Sequence, residues 1–263
     1  MKKACALVLL SLALSWYSFG QNQVRGRLTT ELTVEPSNTD GVEAPLRAER
    51  LAAISIDQEL AFLKGIQLEI RVPDVVRESG GGFALYLYGD VSPAPSSGRR
   101  QYEGRRISSE NIPNTSRFFM SVPVSGEHRL KQTADTHVVD SVVPPDQFPL
   151  LMTILPVMKG MPDDAMSAEF SITAKPLLLD VGAAQFRILD PEGTDILESA
   201  GSLREFQLFL DGEQRDYDGE PFFLAPGLHR VSLESARFEN QRRTFGVERG
   251  AVSEVQLQLE EPQ

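Results

Sequence analysis

The sequence contains few residues that could support thiol, redox or metal chemistry. It has one cysteine, one tryptophan and three histidines among 263 residues. Cys5 lies before most of the first apolar run, where it does not fit a lipidation site, and it would leave with the leader predicted below. A chain without cysteine forms no disulfide and offers no thiolate ligand or nucleophile.

Positive charge is also scarce. Lysine and arginine total 26 against 37 aspartates and glutamates, which gives a net charge of −11. An acidic surface repels the phosphates of nucleic acids and anionic lipid headgroups. We therefore predict no nucleic-acid partner and no binding to an anionic membrane surface.

Only one long hydrophobic run is present, at the N-terminus. Lys2 and Lys3 precede an apolar stretch, and small residues follow at Ser18 and Gly20. This pattern predicts a signal peptide over residues 1–20. A membrane anchor is the alternative, but it needs about 20 apolar residues, and polar residues begin at Gln21. The expected location is therefore periplasmic or extracellular, with no transmembrane segment after cleavage.

The remaining chain alternates apolar and polar residues with the period of a β-strand. Alternation is clear at residues 28–34 and 66–72, while residues 83–88 are apolar on both faces, as in a central strand. A short helical turn is predicted over residues 57–64. We predict an all-β protein, with a β-sandwich-like domain over residues 21–200 and a small β module over residues 201–263. Further strands are predicted at residues 117–124, 150–155, 168–173 and 185–189.

Two long segments are predicted to be polar loops, residues 90–106 and 127–145. The first carries Arg99, Arg100, Arg105 and Arg106, the strongest local excess of positive charge in an acidic chain. Guanidinium groups bind carboxylates and phosphates through paired hydrogen bonds. These arginines are therefore candidate interaction residues, and a solvated loop is the alternative.

Turn residues dominate the C-terminal sequence. They form the motifs Leu210-Asp211-Gly212, Gly219-Glu220-Pro221, Pro226-Gly227-Leu228-His229, Phe238 and Gly250. Their order resembles the PEGA domain family over residues 203–260, whose pattern ends in a hairpin turned at a Gly. The resemblance implies a small, Ig-like all-β module of exported proteins that serves interaction or structure, and not catalysis. In that pattern His229 is interpreted as packing over its turn and bonding a backbone carbonyl.

Other polar clusters match no metal or catalytic motif. The acids at 211, 213, 216, 218 and 220 lack the spacing of an EF-hand loop, and the segment from Asp135 to Asp140, with His128 and His137, has no periodic arrangement. Both are interpreted as solvated. No nucleophile elbow, zinc-binding helix motif or phosphate loop is present. We predict no catalytic, cofactor or metal residues.

Two tyrosines could serve a sugar ligand. Tyr86 and Tyr88 lie two residues apart, so they share one face of their strand. An exposed pair would form an aromatic platform, whereas a buried pair would belong to the core.

The sequence favours a non-catalytic envelope component whose partner is an envelope protein or polymer. A carbohydrate-binding module is the first alternative. A hydrolase in the N-terminal domain, using two acids brought together by the fold, is the second.

Overall fold

The structure is a computed structural model that describes residues 21–57, 62–80, 82–126, 130–133, 135–197 and 206–261. Strands make up 57% and helices 7% of it, which confirms the predicted all-β class. Its α-helices are short: α1 (Asp74–Glu78) and α2 (Asp163–Ser167). A 3-10 turn spans Pro145–Gln147. Within these ranges, no helix has the length and apolar character needed to cross a membrane.

The chain divides into two compact units, one ending at Leu177 and the other beginning at Leu178. The strands of the first unit are β1 (Gln21–Arg25), β2 (Arg27–Val34), β3 (Val42–Arg47), β4 (Arg50–Ile56), β5 (Leu63–Arg71), β6 (Phe83–Ser92), β7 (Gln101–Asn111), β8 (Arg117–Pro123), β9 (Thr136–Val138), β10 (Leu150–Pro156) and β11 (Glu169–Leu178).

These strands form two sheets. The first sheet has the order β1-β7-β6-β10-β4-β2, and the second has the order β3-β11-β5-β8-β9. Phe83 on β6 meets Phe170 on β11 edge-on, with ring centroids 5.5 Å apart. Ile66, Leu68 and Ile70 on β5 are completely buried, as their alternation predicted. The first unit is therefore sandwich-like, with its core between the two sheets.

The first sheet buries apolar residues on its other face as well. Since neighbouring side chains alternate across a strand, Tyr86 and Tyr88 point away from the face that carries Phe83. A second, smaller cluster lies on this outer face, with Tyr86 and Val91 packed at its margin. Its buried members are Val24, Leu28, Leu51, Ala53, Tyr88, Tyr102 and Leu151.

The second unit is built from two further sheets. One has the order β15-β12-β18 and the other β14-β13-β16-β17. Phe186 occupies the centre of their shared core and packs against the rings of Tyr217, Phe222 and Phe245. The strands are β12 (Gly182–Leu189), β13 (Phe206–Leu210), β14 (Glu213–Arg215), β15 (Phe222–Leu224), β16 (Gly227–Ser235), β17 (Gln241–Val247) and β18 (Val252–Gln258).

The second unit begins well before residue 201, where the sequence placed the boundary. β12 is the reason, because it pairs in parallel with β18, the last strand of the chain. The turn after β17 also holds the segment before β12. Arg249 donates from Nε to the Leu179 carbonyl at 3.1 Å, and Gly250 N donates to the Val181 carbonyl at 2.9 Å. Gly250 has φ +72°, and a Cβ there would lie 2.7 Å from Leu178.

Four local expectations differ from the structure. Residues 127–145 are not one loop, because β9 covers Thr136–Val138. Residues 90–106 are not one loop, because β6 continues to Ser92 and β7 begins at Gln101. Residues 58–61 of the helical turn predicted over residues 57–64 lie outside the described residues, and Leu63 already belongs to β5. The last two strands do not form the hairpin expected from the family pattern, since β17 pairs with β16 and β18 with β12.

Candidate interaction site

The hairpin between β6 and β7 is the most distinctive polar surface of the first unit. Tyr102 holds the loop of this hairpin in place and is itself buried, with only 1% of its surface exposed. The Tyr102 hydroxyl donates to the Ser96 carbonyl at 2.9 Å and accepts a hydrogen bond from Ser96 N at 3.3 Å. Gly26 N on the neighbouring β1–β2 connection donates to the Arg100 carbonyl at 3.1 Å. The loop is therefore fixed at both its middle and its end.

The anchored loop presents Arg99 and Arg100 to solvent. Both side chains are exposed, and neither has an ion-pair partner among the residues that the structure describes. They border an open groove of about 670 Å³. A second groove, of about 360 Å³, continues past Gln101. The first groove is lined by Ser96, Gly98, Arg99, Arg100 and Gln101, and the second by Gln23, Ser92, Pro93, Gln101, Tyr102 and Glu103.

The other two candidate arginines lie on β7 and not in the loop. Arg105 donates from Nε to Asp90 Oδ2 at 2.9 Å and from a terminal nitrogen to Gln147 at 2.6 Å. Its charge is therefore already neutralised. Arg106 lies directly opposite Tyr88 in the β6–β7 ladder and is exposed. The four arginines thus have three different environments, which the spacing of the sequence could not separate.

Tyr88 belongs to the outer-face cluster and not to an exposed platform. It is 8% exposed, and burial raises the pKa of its hydroxyl, an effect that the nearby Arg106 charge opposes. Gly104 leaves room for it, since a Cβ there would lie 3.2 Å from Tyr88 Cβ. Tyr86 is half-buried beside it. Of the two tyrosines, only Tyr86 has a partly accessible ring.

Glu69 is the acid of the described residues that is most relevant to the hydrolase hypothesis, because it is 5% exposed. It lies on the face of β5 opposite the core residues. Its carboxylate meets Arg71 at 3.2 Å, Arg117 at 3.6 Å and Lys175 at 3.7 Å. These three ion pairs link β5, β8 and β11 around one buried carboxylate. We interpret Glu69 as a structural ion-pair centre.

In the second unit, two motifs of the sequence are bonded to each other. Asp211, at φ +53° in the turn after β13, accepts from Arg230 N at 2.8 Å through Oδ1. Its Oδ2 accepts from His229 Nδ1 at 2.7 Å. His229 Nε2 donates to the Ala225 carbonyl at 2.8 Å, as its motif suggested. Since both ring nitrogens face acceptors, these bonds favour the imidazolium.

The pKa values follow from this arrangement. The Asp211 carboxylate and then the Ala225 carbonyl raise the pKa of His229. The Arg230 N–H and then the His229 ring lower the pKa of Asp211. Both effects favour the ion pair, which joins the turn after β13 to β16.

Tyr217 has a role that the sequence did not reveal. β15 pairs with β12 only at Gly182–Ala184, which leaves the next part of that edge without a strand. The buried Tyr217 hydroxyl accepts from Phe186 N and donates to the Phe186 carbonyl, each at 2.8 Å. One hydroxyl thus replaces a missing strand partner. Burial raises its pKa despite the Phe186 hydrogen bond.

The remaining polar clusters engage local partners. His137 Nε2 lies 3.1 Å from a Glu110 oxygen, while Glu213 pairs with Arg215 at 2.7 Å. Asp218 accepts from Glu220 N at 3.1 Å. In the described part of the chain, no group of three or more His, Cys, Asp or Glu could hold a metal ion. His128 lies outside the described residues.

Comparison with known proteins adds little. No family model matches the chain, and no curated protein matches it. Among solved structures, it is similar to the Bacillus anthracis TIE protein at 9% identity and a TM-score of 0.23. The match covers 76% of this chain and 35% of that chain, so this chain spans about a third of that protein. A TM-score of this size carries no argument, and the PEGA resemblance stays a prediction.

Proposed function

We propose that this chain is an exported, non-catalytic protein of the cell envelope that binds an acidic group on an envelope protein or polymer. Arg99 and Arg100 carry the proposal. They are exposed without a carboxylate partner in the described structure, on a loop held by Tyr102. A loop whose backbone is already fixed loses less freedom on binding, and its guanidinium groups can bind a carboxylate through paired hydrogen bonds.

Two features support the exported setting. Residues 1–20 have the basic start, the apolar run and the small residues of a signal peptide. The PEGA-like motifs lie at the turns of a small β unit, where Asp211 and His229 hold two of those turns together. Both features suit a module that provides structure and contact surface outside the cytoplasm.

Affinity capture from the envelope fraction tests the proposal. The wild-type protein should enrich one dominant partner, and Arg99→Gln combined with Arg100→Gln should lose most of it. Arg242→Gln is the control, because Arg242 is an exposed arginine of the second unit. Equal recovery with the wild type and the double variant would refute the arginine contact. If the protein turned over an envelope substrate and this activity required Glu69, the hydrolase hypothesis would replace this proposal.

A carbohydrate-binding module is the second candidate. The polar grooves beside the hairpin favour it, since Gln23, Ser92 and Gln101 offer groups that could bond sugar hydroxyls. Tyr86 adds a partly accessible ring on the same face as Arg106. Binding to neutral glycans that is retained when Arg99 and Arg100 are removed, but lost with Tyr86→Ala, would support this candidate over the first.

A further inference from the structure

A third groove, distinct from the two beside the hairpin, lies where the edge strands of the two sheets of the first unit meet. β2 is the edge of one sheet and β3 the edge of the other, and the Thr30 hydroxyl joins them by donating to the Pro45 carbonyl at 2.7 Å. The groove is open to solvent and has a volume of about 520 Å³. It is lined by Arg27, Thr29, Thr30, Glu31, Ala44, Pro45, Arg47, Arg50 and Glu169.

Two like charges stand side by side in this groove. Arg27 on β2 and Arg50 on β4 are direct partners in the parallel ladder, so their side chains leave the sheet on the same face. Like charges placed opposite each other destabilise a sheet. Neither arginine contacts a carboxylate within the described ranges of the chain. An unneutralised pair is unusual here, since the protein has an excess of acids.

The acids of the groove do not neutralise this pair. Glu169 is already engaged by Arg47, at 3.1 Å between Nε and Oε2. Glu31 partners Ala53 in the ladder, so it projects from the opposite face of β2 to Arg27. A bulge at Thr29 produces this arrangement, because the register shifts between Leu28 and Thr30. Thr29 itself lines the groove and brings a hydroxyl donor.

We propose that this groove is an oxyanion-binding site, in which a carboxylate or phosphate group lies between Arg27 and Arg50. Two guanidinium groups on one face can each donate two parallel hydrogen bonds to such a group. The bound anion would remove the repulsion between them, so part of the binding energy comes from relief of an unfavourable contact. The hairpin lies close to Arg27, since Gly26 N bonds the Arg100 carbonyl, but it contributes no residue to the lining of this groove. The proposal does not depend on Arg99 or Arg100.

Thermal unfolding and calorimetric titration test the site at one fixed ionic strength, because screening changes both effects. The purified protein is titrated with inorganic phosphate and, separately, with glucuronate. We expect at least one of the two to bind and to raise the Tm. Arg50→Gln should weaken that binding about tenfold or more, through loss of a charged hydrogen-bond pair. Without ligand, the variant should unfold at or above the wild-type Tm.

The controls make each outcome decisive. Arg242→Gln carries the same charge change at an exposed position of the second unit and should bind as the wild type does. Arg27→Gln removes the other member of the pair and should repeat the effect of Arg50→Gln. Binding of glucuronate alone would identify a carboxylate ligand, and binding of phosphate alone a phosphate ligand. Absence of binding by both, or equal binding by wild type and both groove variants, would overturn the proposal.

Discussion

At the scale of single residues, the Asp211–His229 pair makes the stability of the second unit depend on pH. The raised pKa of His229 means that its contribution is complete below the unfolded value, about 6.5, and is lost as pH rises through the folded value. The lowered pKa of Asp211 means that its contribution is complete above about 3.9 and is lost as pH falls through the folded value. The pair is therefore most stabilising between roughly pH 4 and 6.5.

Asp211→Asn tests this pH dependence. The substitution keeps an acceptor for Arg230 N but removes the charge next to His229. We expect the loss in unfolding free energy, measured by urea denaturation, to be greatest near pH 5.5 and smaller at pH 8. Because Asp211 is half-exposed, solvent screening limits the loss to about 1 kcal/mol. A loss that does not vary with pH would show that the ion pair contributes nothing.

Tyr217→Phe should be far more harmful than its small change in size suggests. The substitution leaves both Phe186 N and the Phe186 carbonyl buried without their partner. An unsatisfied buried polar group costs about 1–3 kcal/mol, so we expect a lower midpoint in chemical denaturation. Tyr86→Phe is the control, since the Tyr86 hydroxyl makes no hydrogen bond among the residues the structure describes. Equal stability of the two variants would contradict this role of Tyr217.

At the scale of elements, the strand β12 decides where the second unit begins. A fragment beginning at Leu178 should fold, with dispersed NMR amide signals and a cooperative thermal transition. A fragment beginning at residue 201 lacks β12, and with it the core side chains of Ala184, Phe186 and Ile188. It also leaves β18 without its partner, so we expect it to be unfolded. Cooperative unfolding of the shorter fragment would return the boundary to residue 201.

Strands that alternate clearly, or that are apolar on both faces as β6 is, could be predicted from sequence, and strands with neither pattern could not. β5 alternates because one face of it carries the core residues, and β2 alternates from Thr30 to Val34 for the same reason. β7 was missed because its most buried positions are Tyr102, Gly104 and Ser108, which do not form an apolar pattern. β7 is held in place by its pairing with the neighbouring strand β6 and by the hydrogen bonds of the Tyr102 hydroxyl. Local sequence contains neither source of order.

The candidate sites were predictable only in part for the same reason. The charge of Arg99 and Arg100 is visible in the sequence, but the salt bridge that separates Arg105 from them depends on Asp90 in another strand. The Arg27–Arg50 pair depends on a parallel strand pairing and on a bulge, both of which are set by long-range contacts. The Tyr217 hydroxyl bridges to Phe186, which lies in a distant strand.

At the scale of the whole molecule, the charges are distributed unevenly. The chain has a net charge of −11. Even so, Arg99 and Arg100 on the hairpin and Arg27 and Arg50 in the groove form no ion pair with a carboxylate in the described structure. These two surfaces attract anions at short range, although the net charge of the molecule repels them at long range. Such a protein would exclude polyanions generally and hold an acidic group only where it fits between arginines.

The parallel pairing of β12 with β18 has a mechanical consequence. In a parallel pair, the start of one strand and the end of the other lie at opposite ends of the ladder. Tension that enters at Gly182 and leaves at Gln258 therefore pulls the two strands in opposite directions along their length. The backbone hydrogen bonds from Ala183 to Leu189 then share the load and must break together. Single-molecule pulling at Gly182 and Gln258 should give a higher unfolding force than pulling apart the open ends of the β13–β14 hairpin, where the hydrogen bonds break one after another.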